Sequence, residues 1–213
     1  MRVLLVNGSP HEKGCTHRAL TEIADTLREE GIESEIFWLG REMIGGCMAC
    51  GGCRHNGVCI YDDILNRSRE KFRAADGFVF GSPVHYAAAS GSLTAFMDRL
   101  FYSESKSTFF MKPAAAVTSA RRAGTTAAMD QLNKYFSISQ MPIVSSRYWN
   151  MVHGATPEQV EQDKEGLWTM RVLARNMAYL LQCKAAAEAA GIALPRQETG
   201  EYTNFIRRTT EES

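Results

Sequence analysis

The sequence predicts an α/β protein: an open, five-stranded parallel sheet in the order 2-1-3-4-5, covered by helices on both faces. Three observations carry this expectation. Short apolar runs, Val3 to Val6, Phe78 to Phe80 and Ala114 to Val117, each end in a turn-rich segment: Asn7-Gly8-Ser9-Pro10, Gly81-Ser82-Pro83 and Thr118-Ser119-Ala120. Each of these is followed by a stretch with apolar residues at helical spacing. The 213 residues also suit one such domain, since single α/β domains run to ~200–250 residues.

In order along the chain, Val3 to Val6 lacks helical spacing and reads as the first strand. Helical spacing resumes near Thr16, with Leu20, Ile23, Ala24 and Leu27 on one face, and Gly31 ends that helix. Ser34 to Leu39 is the second strand, and residues 40–61 form an irregular, glycine-rich segment. Asp62-Asp63 caps the next helix, whose apolar face takes in Ile64, Leu65, Phe72 and Ala75. After the third strand, Phe78 to Phe80, a helix from Ser92 to Tyr102 places Leu93, Phe96, Met97 and Leu100 at core spacing. Ala114 to Val117 is the fourth strand, Thr125 to Phe136 a helix, and Pro142-Ile143-Val144 the fifth strand. Thr156-Pro157 opens the last helical region, Pro sitting in the first turn after a capping Thr. A break near Gly166 then precedes a long helix to about Ala190, on which Cys183 reads as a core residue. The expected organisation is one domain over residues 1–195, a cysteine-rich insertion at 40–61, and a C-terminal tail over 196–213 with Arg207-Arg208 in solvent.

Lysine plus arginine number 24 and so do aspartate plus glutamate. With no basic excess or stripe, nucleic acid is not an expected partner. No apolar run approaches the ~18 residues of a membrane span, and the run after Met1-Arg2 is too short for a secretory leader. The expectation is a cytoplasmic protein with no membrane partner. Of six cysteines, four crowd between Cys47 and Cys59. In a reducing compartment such crowding points to metal or redox chemistry rather than disulfides.

The first loop carries more specific chemistry. Strand, hydroxyl-bearing glycine loop, helix: that order leaves backbone N–H groups free at a helix N-terminus, where an anion is stabilised. Ser9, Thr16 and Thr21 add hydroxyls. No Gly-Lys-Ser/Thr triplet follows Gly8, so this is not a Walker loop. Ser9-Pro10 replaces the second glycine of a dinucleotide fingerprint. A hydroxyl-rich loop without the lysine suits a phosphate monoester that is held, not transferred; the alternative is a plain βα turn. The loops after strands one, three and four, Gly8 to Pro10, Gly81 to Tyr86 and Ser119 to Gly124, meet at one sheet edge, where the strand order reverses and open α/β sheets bind ligands.

With those residues in view, the chain resembles the NADPH-dependent FMN reductases of the flavodoxin-like superfamily, three-layer sandwiches. NGSPHEKGCTHRA looks like their phosphate loop, and GSPVHYAAASGSLTAFMDR like their second flavin loop and the helix after it. The run Cys47-x2-Cys50-x2-Cys53-x5-Cys59 is similar to the compact cysteine motif of the iron–sulfur flavoproteins, which bind FMN and a [4Fe–4S] cluster. The resemblance implies that Ser9, Gly14, Cys15 and Thr16 hold the FMN phosphate with His11 beside it. Cys15 departs from the family, which often has Asn or another polar residue there, and a thiol is a poor donor. Pro83, Val84, His85 and Tyr86 would lie along the isoalloxazine ring, and Ser119 to Gly124 would face its polar edge. Arg121 or Arg122 would stabilise negative charge on the reduced ring.

Three readings of the four cysteines stay open: a [4Fe–4S] cluster, zinc bound through all four thiolates, or thiols holding no metal. His85 and Tyr86 are the candidate acid–base residues. Trp149, Met151 and His153 either cover a neighbouring subunit's flavin or seal the sheet edge. The resemblance implies an FMN-dependent oxidoreductase, a homodimer or homotetramer, with NAD(P)H or a ferredoxin-like carrier as electron donor. The acceptor would be a small molecule such as a quinone or free flavin. The alternative is an electron-transfer flavoprotein shuttling between protein partners.

Overall fold

In the computed structural model, residues 1–198 and 200 are described; most of the expected tail, including Arg207-Arg208, lies outside them. The elements follow the alternation read from the sequence. They run β1 (Arg2–Asn7), α1 (Cys15–Glu29), β2 (Glu33–Trp38), α2 (Gly52–Asn56), α3 (Ile64–Ala74), β3 (Gly77–His85), β4 (Ala88–Ala89) and α4 (Gly91–Ser103). Then come β5 (Ala114–Ala120), α5 (Thr125–Ile138), β6 (Met151–His153), α6 (Pro157–Val160) and α7 (Lys164–Ala189). The main sheet is parallel, in the order β2-β1-β3-β5-β6, so the reversal falls between β1 and β3 as expected.

Side chains that alternate along each strand divide the core in two. Leu4, Val6, Phe78, Phe80, Ala114 and Ala116 point to one face, against Phe72 of α3, Phe96 and Leu100 of α4, and Phe136 of α5. Val3, Leu5, Val79, Ala115 and Val117 point to the other, against Leu20 and Ile23 of α1 and Met170, Leu173 and Met177 of α7. Strands buried on both faces have to be apolar throughout, which is why the runs lack a polar alternation.

Four expectations are corrected. The fifth strand is not Pro142 to Val144. Ile143 forms only an isolated parallel bridge with Ala114, and the chain then leaves the sheet and returns as β6, pairing Met151, Val152 and His153 with Thr118, Ser119 and Ala120. The last sheet position is thus shared by two segments. Met151 and Val152 are buried there and seal the edge. The third strand is longer than read: Gly81-Ser82-Pro83 stays paired to β5 and runs on to His85 before folding back as a hairpin with β4. The Ser82 hydroxyl stabilises this turn-like stretch, donating to Pro83 O and accepting from Ser90 N–H, both at 2.8 Å. No break occurs at Gly166. The chain bends at residues 161–163, and Gly166 sits in the first turn of α7, where Asp163 caps its N–H at 2.9 Å and leaves no room for a Cβ. Cys183 is exposed, not core.

The irregular segment also contains a short helix, α2, bracketed by Gly51 and Gly57 with φ of 72° and 71°, backbone that glycine adopts without penalty. Asp63 caps α3 by accepting from Leu65 N–H, and Thr156 caps α6 with Pro157 at its start, both as read.

Candidate functional site

At the carboxyl edge of the sheet the loops after β1, β3, β5 and β6 enclose a cleft of about 690 Å³. Its floor is the first loop. Asn7, fully buried at the end of β1, organises that loop: its Oδ1 accepts from Ser9 N–H at 3.1 Å, and its Nδ2 donates to Glu12 O at 3.0 Å. Trp38 at the end of β2 donates its indole N–H to Ser9 O at 2.8 Å. Ser9 Oγ in turn accepts from His11 N–H at 3.1 Å. Gly8 is pinned from below, because a Cβ there would lie 2.7 Å from Leu93 Cβ.

The loop delivers the N-terminus of α1 into the cleft. Its N-cap is Gly14, no side chain caps it, and no acidic residue stands in its first turn. The first backbone N–H groups are therefore left for an outside acceptor, beside Gly14, Cys15 and Thr16 in the cleft wall. A side chain at Gly14 would press on His11, its Cβ only 3.0 Å from that of the histidine. Burial pushes the Cys15 thiol up, with Glu158 adding to that and its own backbone N–H opposing it. It stays protonated and points to Gly154 O at 3.4 Å, so no thiolate competes with an anion here. Lys13, Arg41 and Arg121 line the cleft against the single carboxylate of Glu12, giving a locally positive site in a neutral chain.

Of the residues singled out in the sequence, Ser9, His11, Gly14, Cys15, Thr16, Pro83, Val84, His85, Ser119 and Arg121 line this one cleft. Tyr86, Arg122 and Gly124 do not. Tyr86 stands wholly in solvent at the hairpin tip, with φ of 51°, followed by Ala87 at 59°, as a tight hairpin turn demands. Gly124 is the N-cap of α5 with φ of 89°, and a Cβ there would meet Ala87 Cα at 2.9 Å; it seats the hairpin. Sequence reasoning missed Arg41 and the wall from Gly154 to Pro157. The signal for that wall was present: Gly-Ala-Thr-Pro repeats the small, hydroxyl-bearing pattern of the first loop, and only the misplaced fifth strand hid its position.

The four crowded cysteines lie elsewhere. Cys47, Cys50, Cys53 and Cys59 line one hollow with the apolar Met48, Ile60, Tyr61 and Tyr102. Cys47 and Cys50 are exposed, while Cys53 and Cys59 are partly covered. The hollow measures only about 20 Å³, and among the described residues no three His, Cys, Asp or Glu side chains close around a single ion. The donor set is nonetheless four thiols, and a cationic group reaches one of them: Arg99 of α4 donates its Nε–H to Cys59 Sγ at 3.3 Å. An all-thiol set with a hydrogen bond to sulfur fits an iron–sulfur centre in its chemistry. Cys183, on α7, is not part of this hollow.

A three-layer α/β sheet with an uncapped helix N-terminus at its point of reversal defines a flavodoxin-like protein. The chain belongs to the NADPH-dependent FMN reductase family, whose model matches residues 1–156. It is similar to an iron-sulfur flavoprotein of Methanocaldococcus jannaschii, 29% identical over 193 residues, covering 85% of this chain and 98% of the relative. An iron-sulfur flavoprotein of Methanosarcina thermophila is 26% identical over 186 residues, covering 85% and 96%. Among solved structures, a flavodoxin from the domain Archaea superposes with a TM-score of 0.58 at 15% identity, covering 85% of this chain and 99% of the flavodoxin. Among the described residues no helix is long and apolar enough to cross a membrane.

Proposed function

We propose that the chain binds FMN in the sheet-edge cleft and works as an NAD(P)H- or ferredoxin-linked oxidoreductase, passing electrons to a small acceptor such as a quinone or free flavin. The observation that carries this is the uncapped N-terminus of α1, opening into a cleft walled by Pro83 to His85, Ser119 to Arg121 and Gly154 to Pro157. Bound FMN supplies the exchange of electrons singly or in pairs. The chain's residues hold and bias it. The N–H groups of Cys15 and Thr16 and the Ser9 hydroxyl take the phosphate, with Lys13 and Arg41 balancing its charge. Pro83 and Val84 give an apolar stretch of wall for the ring. Of the two arginines after β5, Arg121 and not Arg122 lines the cleft, and it would stabilise negative charge at the ring's polar edge. His85 is the one remaining acid–base candidate, since Tyr86 faces away.

A second reading adds a [4Fe–4S] cluster held by Cys47, Cys50, Cys53 and Cys59, making the chain an electron-transfer flavoprotein between protein partners. It is favoured by the single hollow the four thiols share, and by the names of the two Methanocaldococcus and Methanosarcina relatives. Protein purified without oxygen and assayed for flavin, iron and acid-labile sulfide separates the two. Flavin with about four iron per chain supports the second reading. Flavin without iron, with steady NAD(P)H turnover on a quinone alone, supports the first. No flavin even after added FMN overturns both.

A further inference from the structure

Arg99 stands in a helix whose other inward positions, Leu93, Phe96, Met97 and Leu100, are all apolar. Only 1% of it is exposed. A cation buried to that extent is stabilised only if every donor is used, and here all are. Nη1 donates to Asp63 Oδ2 at 2.6 Å and Gly45 O at 3.3 Å; Nη2 donates to Asp63 Oδ1 at 2.9 Å and Tyr61 O at 3.5 Å; Nε donates to Cys59 Sγ at 3.3 Å. The Tyr61 ring covers the guanidinium with its centroid 4.8 Å away. One side chain thus ties both ends of the cysteine loop to α4, and its Nε–H is aimed at a sulfur where a carbonyl would have served equally for tethering.

We infer that Arg99 is a positioning residue for the cysteine site, and that with Asp63 it sets the reduction potential of the centre bound there. The inference rests on the cluster reading above. When a dithionite titration adds one electron to a thiolate-bound cluster, the site gains one negative charge. Arg99 meets that charge through a hydrogen bond to a ligating sulfur, which favours the reduced form. The Asp63 carboxylate, paired to the same guanidinium, opposes it. The two residues therefore pull the potential in opposite directions. A purely structural tether would not.

The test is a redox titration of the reconstituted, full-length protein, monitored by visible absorbance, with iron counted on each sample. Arg99→Gln is expected to shift the reduction equilibrium about tenfold toward the oxidised form, which for one electron is about 59 mV lower. Asp63→Asn keeps an acceptor oxygen for Leu65 N–H and for Nη2, removes the charge together with the acceptor of Nη1, and is expected to raise the potential. Arg99→Lys, which keeps charge but loses the fork, is expected to fall between Arg99→Gln and wild type. If Arg99→Gln takes up no iron, Asp63→Asn against wild type decides, and an unchanged or lowered potential overturns the inference. Equal iron with unmoved potentials in all variants overturns it too, as does loss of iron in all three when wild type retains it. A wild-type protein that takes up no iron overturns the cluster reading and this inference together, leaving the FMN cleft unaffected.

Discussion

Thr16 and Ser119, far apart in the chain, share a buried hydrogen bond of 2.8 Å between their hydroxyls. The bond ties the first turn of α1 to the end of β5, so the loop that offers N–H groups and the loop that carries Arg121 are held as one unit. Thr16→Val leaves the Ser119 hydroxyl buried and unpaired, and is expected to lower unfolding free energy by about 1–3 kcal/mol. Thr16→Val combined with Ser119→Ala should recover part of that loss, since both polar partners then go. Denaturant melts of the four proteins check this; strictly additive losses would mean that the pair is uncoupled.

Cys15 offers a sharper probe of the anion site. Because its thiol is held protonated, Cys15→Ser should leave FMN affinity within a few-fold of wild type. Cys15→Asp sets a carboxylate beside the bound phosphate, and affinity should fall by at least about tenfold. Fluorescence titration with FMN reads both.

Gly124→Ala combines a left-handed backbone with a Cβ 2.9 Å from Ala87 Cα. It should cost about 1–3 kcal/mol and shift the hairpin that bears His85. Gly91→Ala, at the start of α4 where a Cβ meets nothing within 4 Å, is the matched control and should be near neutral. Urea midpoints distinguish them.

These contrasts also explain what the sequence made legible. The strand–loop–helix punctuation at Gly8-Ser9-Pro10 and the caps at Asp63 and Thr156 are local chemistry, legible in neighbouring residues alone. The meeting of three loops at the reversal follows from the same punctuation. Trp38 donating to Ser9 O and Arg41 at the cleft rim are contacts across the sheet with no local signature. Arg99 reads in sequence as one polar residue on an amphipathic helix; its burial follows from a carboxylate and a thiol on a distant loop. β6 escaped because only three residues pair, after a stretch from Ser145 to Asn150 with no regular structure.

The acid limb of stability should report the Asp63–Arg99 pair. Burial pushes the Asp63 carboxyl up, but the Arg99 guanidinium, the Leu65 N–H and the nearby Arg67 outweigh it and hold it below the ordinary carboxylate range. A group lowered in the folded state stabilises above its unfolded value of about 3.9 and loses that contribution as pH falls through the folded value. The stability advantage of wild type over Asp63→Asn should be flat from about pH 5 to about pH 8 and shrink below about pH 4. Melting curves across that range check the sign; an advantage that grows on acidification would reverse it.

The central claim is that the cleft is built around a phosphate monoester carried by a flavin. Its most direct test is the affinity of flavin-free protein for FMN against riboflavin, which share the ring and differ in the phosphate. Several charge-assisted bonds at the α1 N-terminus predict FMN tighter by about 100-fold or more. Equal affinities, or no binding of either, would contradict the account.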